Sequence, residues 1–533
     1  MKRTLALVFT LIMALGLLPG VVQAEDAPIT ICIGSQPETL DPQLNSAVDG
    51  SNYIQHLFEG LIRREWDGSG LGLGTAESYE ISEDGMIWTF KIRENAKWSD
   101  GQDLTAEDFV FAFQRLVNPD TAAPYGEDMG MFILNGSAAF AGEVEVTELG
   151  VTALDSKTLE VKLQEPCPFF LDVMAFPTFY PVRKDLIEAH GEAWVTRPET
   201  LVSNGAYKLD SWSMDEEIVM VPSEYYYDVD KVVAQKLVFK LMSDANAKLA
   251  AVRTGELDFS DEIPTEEREA VIAEGLFHEE PNLGTYYIDM NGTKAPFDNA
   301  LVRKAFALAI DPVYLSVNAA NNIYMPATNF VGPGFVDADG APFMDKQLLF
   351  DRSDYEANIE LARAAMAEAG YPNGEGFPTV EYTTNPTSIH IATAEALQAM
   401  WKEVLGVNVE VSQMEWGVFL PFRRDHLHTI ARNGWIADFN DPSNLLQLFH
   451  SRSGNNSTGY NNPAYDALMD AAASTIDRAA RMDLLHQAEA LAFGEDYVAV
   501  PVYYYSQYYV SNPNLTGFAV YPTNDRLFHS ASK

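Results

Sequence analysis

The sequence predicts an α/β fold in which open sheets carry helices on their faces. Residues 88–92 alternate apolar and polar side chains, which is the period-two pattern of a half-buried strand. Residues 394–401 carry apolar side chains at helical spacing, and Gly406 ends that helix just before an alternating strand over 407–411. A helix, a glycine and a strand in this order are typical of an α/β layer.

Other elements support this prediction. Residues 30–33 are an apolar run that predicts a first strand. Thr105 is a good N-cap, and Asp108 three residues later completes the pattern of a capping box. The strand over 88–92 and the helix after Thr105 together indicate a mixed α/β unit at residues 59–184.

The length and charge of the chain limit its class. With 533 residues it exceeds the size of about 250–300 residues at which a single core stops growing, so two or three domains are expected. The formal net charge of −42 at pH 7 excludes nucleic acid as a partner, because binding phosphates needs a basic surface. The charge favours a cationic or zwitterionic ligand, although solubility alone also explains it.

The N-terminal residues have the features of a signal peptide. Lys2 and Arg3 precede an apolar run over 5–18, and residues 22–24 match a signal-peptidase site. We therefore expect export to the periplasm, with cleavage after Ala24. Because no cysteine stands at the cleavage point, no lipid anchor is predicted, and no later apolar run is long enough to span a bilayer.

The cysteine content leaves one question open. Cys32 and Cys167 would enter a compartment that allows disulfides. They either form a bridge or stay free, because the sequence does not give the distance between their Cα atoms.

Residues 432–446 are the most informative stretch for function. Asp438 follows Trp435 and Ile436 in an apolar segment that predicts a buried strand, where an unpaired charge is costly. We therefore expect a cationic partner for Asp438, and an acid beside an indole in such a place is typical of a ligand site. A helix N-cap and a surface ion pair are the alternatives that these residues leave open.

Motifs of catalysis and metal binding are absent or incomplete in the sequence. It contains no nucleophile elbow, no zinc-protease motif and no P-loop lysine motif, so no catalytic residue is predicted. The alternating glycines at 68–74 favour a turn over a phosphate site. His426 and His428 have the spacing of one strand face, but no third ligand is near them, so no metal and no cofactor are expected.

Several motifs, in order along the chain, resemble those of one family. They are AESYEISEDG at 76–85, WTFKIRENAKWSDG at 88–101, LTAED at 104–108, NGAYKL at 204–209 and VPVYYY at 500–505. Together they resemble the family 5 extracellular solute-binding proteins, which are the peptide receptors of ABC importers. The resemblance covers essentially the whole mature chain.

The resemblance implies a two-lobed periplasmic-binding-protein fold of type II, similar to its cluster C, with an extra α/β subdomain inserted in the first lobe. Lobe I is then expected at 25–58, 185–283 and 506–533, with the inserted subdomain at 59–184, and lobe II at 284–505. Members of the family are expected to be monomers.

The resemblance also implies a binding site for oligopeptides. In such receptors the acid that matches Asp438 holds the α-ammonium group of the peptide. The backbone around Gly434, beside Trp435, pairs with the peptide as a neighbouring strand. The residues that match Arg432 and His390 meet the C-terminal carboxylate of short peptides.

Further residues complete the implied cleft. Those that match Trp416 and Tyr125 line side-chain pockets, and Val48 lies where the opposite lobe supplies strand-like hydrogen bonds. Tyr504 belongs to a run of tyrosines of the kind that often packs in a core. Amphipathic rings near tryptophans also suit a cleft that accepts varied side chains, so Tyr504 is a candidate cleft residue.

The chain departs from the family pattern at several positions. The better-known oligopeptide receptors have a disulfide whose positions correspond to Gly284 and Ile436, so that bridge is absent here. A lysine that helps to hold short peptides has no clear match near Asn321 and Asn322, and a pocket acid corresponds to Ser46. The preferred peptide length is therefore left open.

The function that the resemblance implies is a receptor that captures oligopeptides between its lobes and delivers them to the membrane subunits of an ABC permease. A receptor of the same fold for another solute, such as a dipeptide, an opine or a sugar oligomer, is one alternative. A secreted hydrolase is another, because the many acids of the chain leave a catalytic pair open.

Overall fold

The computed structural model describes residues 27–167, 169–280, 282–475 and 477–533. The predicted signal peptide and its cleavage site lie outside these residues. Within them, the strands form three larger sheets and two short hairpins, with helices packed against the sheets. This arrangement confirms the predicted α/β class.

The first sheet has seven strands, and the N-terminal strand Ile29–Cys32 lies inside it. This strand runs parallel to both of its neighbours, while the remaining pairs are antiparallel. The order across the sheet is Phe277–Glu280, Gln507–Ser511, Phe259–Ser260, Ile29–Cys32, Leu237–Lys240, Glu217–Pro222 and Tyr207–Ser213.

The second sheet has six strands, and it contains the strand Ile430–Ile436 that precedes Asp438. Strand Val380–Thr384 runs parallel to both of its neighbours, and the other pairs are antiparallel. The order across the sheet is Met325–Pro326, Ala499–Tyr504, Gly284–Met290, Ile430–Ile436, Val380–Thr384 and Val409–Gln413.

A smaller antiparallel sheet lies within residues 59–184. Its strands, in spatial order, are Ala76–Ile81, Ile87–Ile92, Thr158–Lys162 and Val151–Asp155. Strand Leu71–Leu73 pairs with Ile62–Arg64, so part of the glycine-rich segment is strand and not turn. The predicted turn is limited to its first residues, where Gly68 and Gly70 have positive φ angles.

Helices cover the sheets throughout the described residues. Before residue 284 they are Val48–Leu57, Ala106–Leu116, Gly126–Gly130, Gly136–Phe140, Phe170–Met174, Lys184–His190, Ala245–Thr254 and Arg268–Glu274. After it they are Ala300–Leu308, Pro312–Asn318, Tyr355–Glu368, Ser388–Leu405, Trp416–Arg424, Ser443–Leu446, Pro463–Ser474 and Arg478–Glu489. A second hairpin pairs Ala519–Val520 with Arg526–Leu527.

The predicted helix signals are confirmed by the structure. The backbone N–H of Thr105, which precedes helix Ala106–Leu116, donates to Asp108 Oδ2 at 2.8 Å, as a capping box requires. Helix Ser388–Leu405 ends at Gly406, whose φ of 74° is a conformation that glycine adopts readily.

The sheets define two lobes. The seven-stranded and the smaller sheet share a core that includes Phe90 and Phe239, and we call this half lobe I. The six-stranded sheet and its helices are called lobe II, and their core, which includes Ile288, extends onto the seven-stranded sheet through Cys32 and Val510. The chain passes from lobe I to lobe II after Glu280 and returns after Tyr504. Such paired crossings suit a hinge.

Both cysteines are free and buried, which answers the question that the sequence leaves open. Cys32 lies on the strand inside the seven-stranded sheet. Burial raises the pKa of the Cys167 thiol to about 12. Within the part of the chain that the structure describes, no helix is long and apolar enough to cross a membrane.

A buried stack of three rings lies in lobe I. His56 and His529 stack with 4.5 Å between their ring centroids, and Trp66 lies 4.5 Å from His529 on the same measure. His56 Nδ1 lies 2.7 Å from the Asn52 carbonyl oxygen, and the Phe528 N–H donates to His56 Nε2 at 3.1 Å. Burial lowers the pKa of His56 to about 4 and lowers the pKa of His529 well below its ordinary value.

We expect this stack to make the protein less stable at mildly acidic pH. Unfolded histidines take up a proton below a pH of about 6.5, whereas the folded stack excludes it, so stability falls as the pH falls below that value. Each histidine contributes up to about 1.4 kcal/mol per pH unit between its two pKa values. Free energies of unfolding from urea titrations between about pH 7 and 5 measure the effect as a difference between the native chain and a variant that lacks one histidine. The comparison is needed because burial raises the pKa values of Asp438 and Asp128, which changes stability in the opposite direction.

The variant His529→Phe keeps an aromatic ring in the stack and removes one titrating group, so its stability should depend less steeply on pH. The matched control is His190→Gln, at an exposed position, which should leave the dependence unchanged. The same slope in His529→Phe as in the native chain would contradict this account.

Candidate ligand-binding cleft

A cavity of about 310 Å³ lies between the lobes. Side chains of both lobes line it, and all but one of the predicted site residues are among them. Those residues are Val48, Tyr125, His390, Trp416, Arg432, Gly434, Trp435 and Asp438. The structure therefore brings together residues that are separated by almost four hundred positions in the chain.

The structure corrects the prediction for Tyr504, which is not part of the cavity lining. Its hydroxyl lies inside lobe II, where it accepts a hydrogen bond from the Asn329 N–H at 2.9 Å and donates to the Asn329 carbonyl at 3.1 Å. Its neighbour Tyr505 lines the cavity instead. Successive residues of an extended segment point to opposite sides, so Tyr504 faces the interior of lobe II while Tyr505 reaches the cavity.

Among the described residues, only neutral donors hold the carboxylate of Asp438. Tyr125 lies 3.3 Å away through its hydroxyl, and Asn444 Nδ2 donates at 3.1 Å. Asp438 is 8% exposed, and no basic side chain of the described residues pairs with its carboxylate. Arg64 donates to the Asp438 main-chain carbonyl at 3.2 Å, while its own ion pair is with Asp525.

The described residues therefore do not supply the expected cationic partner of Asp438. The two alternatives are not observed either, because Pro442 is the N-cap of the next helix and the carboxylate is buried. Burial raises the pKa of Asp438 to about 8. An acid in this state favours a positively charged ligand group, which would restore the charged form at neutral pH.

Another part of the cavity lining is cationic. Arg432 donates through Nε to Asn385 Oδ1 at 2.7 Å, and its guanidinium lies 5.0 Å from the centre of the Trp416 ring. Arg423 lines the cavity as well, and its Nη1 lies 3.4 Å from the Arg432 carbonyl. Neither guanidinium has an acidic partner among the described residues. Burial and the charge of Arg432 lower the pKa of His390, so this ring is neutral.

Arg423 is a site residue that the sequence analysis missed. It is the second-last residue of helix Trp416–Arg424, beside Arg424, and basic residues are common in the last turn of helices. The available signal was its position seven residues after Trp416, which puts both side chains on the same face of the helix, and the resemblance already implies that Trp416 lies in the cleft.

The strand Ile430–Ile436 has an open edge beside the cavity. On one side it pairs with Gly284–Met290 along its whole length. On the other side its pairing with Val380–Thr384 ends at Ala431, and no further strand of the described residues follows there. Open backbone groups on a strand edge bind extended peptides by strand addition.

Glycine at position 434 is required by a close approach. A Cβ atom at this position would lie 2.1 Å from the hydroxyl oxygen of Tyr505. Gly434 therefore lets the Tyr505 ring pack against the strand, and the strand edge stays accessible to a ligand. The register partners Gly284 and Ile436 lie directly opposite each other, at the positions where the resemblance expects the absent disulfide.

Direct contacts join the two lobes around the cavity. The indole N–H of Trp416 donates to Asp49 Oδ1 at 3.3 Å, from lobe II to lobe I. Ser453 Oγ donates to Asp128 Oδ2 at 2.8 Å across the same boundary. These contacts hold the lobes together around the cavity in this structure.

Comparisons with known proteins agree with this geometry. The sequence profile of the bacterial extracellular solute-binding proteins, family 5 Middle, matches residues 71–457. The chain is 35% identical over 513 residues to the periplasmic oligopeptide-binding protein OppA of Salmonella typhimurium, over 96% of this chain and 93% of that protein.

Solved structures show which arrangement of the lobes is present. Haemophilus influenzae OppA in complex with RPPGFSPFR has a TM-score of 0.88 at 30% identity, over 94% of this chain and 98% of that one. The murein tripeptide binding protein MppA of Escherichia coli has a TM-score of 0.88 at 31% identity, over 95% and 97%. The unliganded open form of MppA reaches only 0.60 at 31% identity, over 94% and 95%. The lobes are therefore closed here.

These matches confirm the two-lobed periplasmic-binding-protein fold that the resemblance implies. The profile covers most of the chain, and the relatives are similar along nearly their whole length. The chain belongs to the family 5 bacterial extracellular solute-binding proteins.

Proposed function

We propose that this protein is the substrate-binding receptor of an ABC importer and captures oligopeptides between its lobes. The observation that carries the proposal is Asp438, a buried carboxylate held only by neutral donors beside an open strand edge. Two relatives support it, because the Salmonella protein is named an oligopeptide-binding protein and the Haemophilus structure contains RPPGFSPFR.

In this mechanism the α-ammonium group of the peptide binds Asp438 and supplies the missing positive charge. A buried ion pair is stable only when further hydrogen bonds hold it, and Tyr125 and Asn444 provide them. Because these donors come from different lobes, the pair is complete only when the lobes close. The ammonium group thereby fixes the register of the peptide.

The peptide backbone then pairs with the strand edge beyond Ala431. Strand addition gives an affinity that does not depend on side-chain identity. Val48, at the start of helix Val48–Leu57, forms the facing wall in lobe I. Trp416 and Tyr125 border the space for ligand side chains, so peptides of many sequences fit.

The carboxylate of a short peptide binds at the cationic part of the cavity. Arg432 and Arg423 are charged donors without acidic partners among the described residues, and they line the same cavity as the neutral His390. Guanidinium groups bind carboxylates with two parallel hydrogen bonds. Waters fill the remaining distance when the peptide is short.

The protein acts in the periplasm after cleavage following Ala24, without a lipid anchor and as a monomer. The Salmonella relative is named a periplasmic protein, which supports this location. The closed lobes present one joint surface to the membrane subunits of a permease, and the chain crossings after Glu280 and Tyr504 act as the hinge. The relatives are named binding proteins, and no enzymatic step is part of this proposal.

Removing the charge at position 438 should weaken the binding of peptides that have a free N-terminus. We expect Asp438→Asn to lose at least about 3 kcal/mol, or more than about a hundredfold in affinity, for trialanine, because the ammonium group is then buried without a partner. Isothermal titration of the unliganded protein measures this loss.

N-acetyltrialanine tests the same contact from the side of the ligand. The native protein should bind it about as weakly as Asp438→Asn binds trialanine. The control Asp425→Asn changes an exposed acid of lobe II and should bind both peptides as the native protein does. Equal affinities of the native protein for trialanine and its acetylated form would remove Asp438 from this role.

The cationic part of the cavity should distinguish a free acid from an amide. We expect the native protein to bind trialanine at least about tenfold more tightly than trialanine amide, because hydrogen bonds to charged groups contribute about 1.5–3 kcal/mol. In Arg432→Met this preference should shrink, and competition calorimetry with both peptides measures it.

The matched control is Arg363→Met, which removes an exposed guanidinium of lobe II and should keep the preference. A variant Arg432→Met that binds both peptides equally less well than the native protein would indicate damage to the strand and not a lost carboxylate contact.

A further inference from the structure

A second cavity lies between the lobes, and it shares no lining residue with the peptide cleft. Its volume of about 390 Å³ exceeds the 310 Å³ of the cleft. One wall belongs to lobe I and the other to helices of lobe II. The apolar side chains of this lining include Met131, Phe132, Phe169, Met469 and Met482.

Three buried polar atoms of the lining make no hydrogen bond within the described residues. They are Glu127 Oε2, Gln447 Nε2 and His450 Nε2. These residues are 3%, 4% and 6% exposed, so bulk water does not reach them freely. Buried polar groups in folded proteins nearly always have partners. Three buried polar atoms without a hydrogen bond around one cavity therefore indicate a ligand that supplies such bonds.

The hydrogen-bonding character of these atoms defines the ligand group. The Arg452 N–H donates to His450 Nδ1 at 3.1 Å, so the hydrogen of the ring lies on Nε2, which is a donor. This Nε2 lies 3.3 Å from Asp470 Oδ1 without forming a hydrogen bond. Gln447 Nε2 is a second donor, and Glu127 Oε2 is an acceptor. The carbonyl oxygen of a ligand amide can accept hydrogen bonds from the two donors, and the amide N–H can donate to Glu127.

The charges around the cavity favour a neutral ligand group over an acid. Arg481 binds Asp441 through two hydrogen bonds of 2.7 and 2.8 Å. Arg452 Nε donates to Glu127 Oε1 at 2.9 Å. Arg478 is exposed, and its guanidinium donates to main-chain carbonyls. A ligand carboxylate would therefore have no free cation at Arg481, which Asp441 already binds. Glu127 would also repel it as a like charge.

The cavity exists as a closed space only while the lobes are together. Glu127 and Phe169 belong to its lobe I wall, whereas Gln447 and His450 belong to its lobe II wall. Phe169 also stacks on Phe439 with 4.9 Å between ring centroids. A molecule that contacts both walls gains these contacts in the closed arrangement and loses them when the lobes separate.

We propose that this second cavity binds a small amphipathic molecule with an apolar body and an amide group, and that its binding favours the closed lobes. The effect on peptide binding rests on the proposed function. A ligand that prefers the closed form raises the affinity of any other ligand that prefers the same form, and the effect is reciprocal.

Direct titration with 3-phenylpropanamide, without any peptide, tests the cavity. The native protein should bind it, Gln447→Leu should bind it at least about fivefold more weakly because a donor is lost, and Met469→Trp should fill the space and abolish binding. Gln487→Leu, at an exposed position of helix Arg478–Glu489, is the matched control and should bind normally. Normal binding by both cavity variants, or tighter binding of 3-phenylpropanoate than of the amide, would overturn the proposal.

The coupling is measured by titrating trialanine with and without saturating 3-phenylpropanamide. We expect the amide to raise the affinity for trialanine about fivefold or more in the native protein, and to have little effect in Gln447→Leu. An unchanged or lower affinity in the native protein would overturn the coupling. If trialanine does not bind at all, the proposed function fails. The direct titration still tests whether the second cavity binds the amide.

Discussion

The site depends on one buried carboxyl group, and no cation of the described residues stabilises its ionised form. Tyr125 of lobe I and Asn444 of lobe II both approach the carboxylate of Asp438, and both are neutral. Neutral donors orient a carboxylate but leave its charge uncompensated in a poorly solvated place. The closed lobes therefore favour a ligand that carries a cation to this point. The elements that position Asp438, Tyr125 and Asn444 therefore all contribute to the preference for a cationic ligand group.

The strand that precedes this acid is held firmly from its buried side. His428 Nε2 lies 3.1 Å from Asp289 Oδ1, and Asn433 donates to Asp289 Oδ2 at 3.2 Å. Although burial opposes ionisation, His428 and the hydroxyl of Ser457 hold the pKa of Asp289 below its ordinary value. A strand fixed in this way presents its open edge without further ordering, which reduces the entropic cost of binding a peptide.

Local signals in the sequence correctly predicted features that depend on interactions between neighbouring residues, such as helix ends. The capping box at Thr105 and the glycine at Gly406 marked their helices correctly. Asp438 was identified because a buried acid is unusual, and the described residues supply no cation for it, as is typical where a binding site leaves that partner to its ligand. Alternation along the tyrosine run separates Tyr504 from Tyr505, but which of the two faces the cleft depends on how the strand is placed in its sheet, and the periodicity of one strand does not reveal this.

Asp438 and Asp441, three residues apart, show what separates a ligand anchor from a structural ion pair. Both are 8% exposed, but Arg481 binds both carboxylate oxygens of Asp441. The charge of Asp441 is thus compensated within the fold and ties this segment to helix Arg478–Glu489. Asp438 lines the peptide cleft and Asp441 lines the second cavity, so one short segment contributes to the lining of both cavities. Contacts that hold this segment against lobe I therefore also hold Asp438 beside Tyr125, in position for an ammonium group.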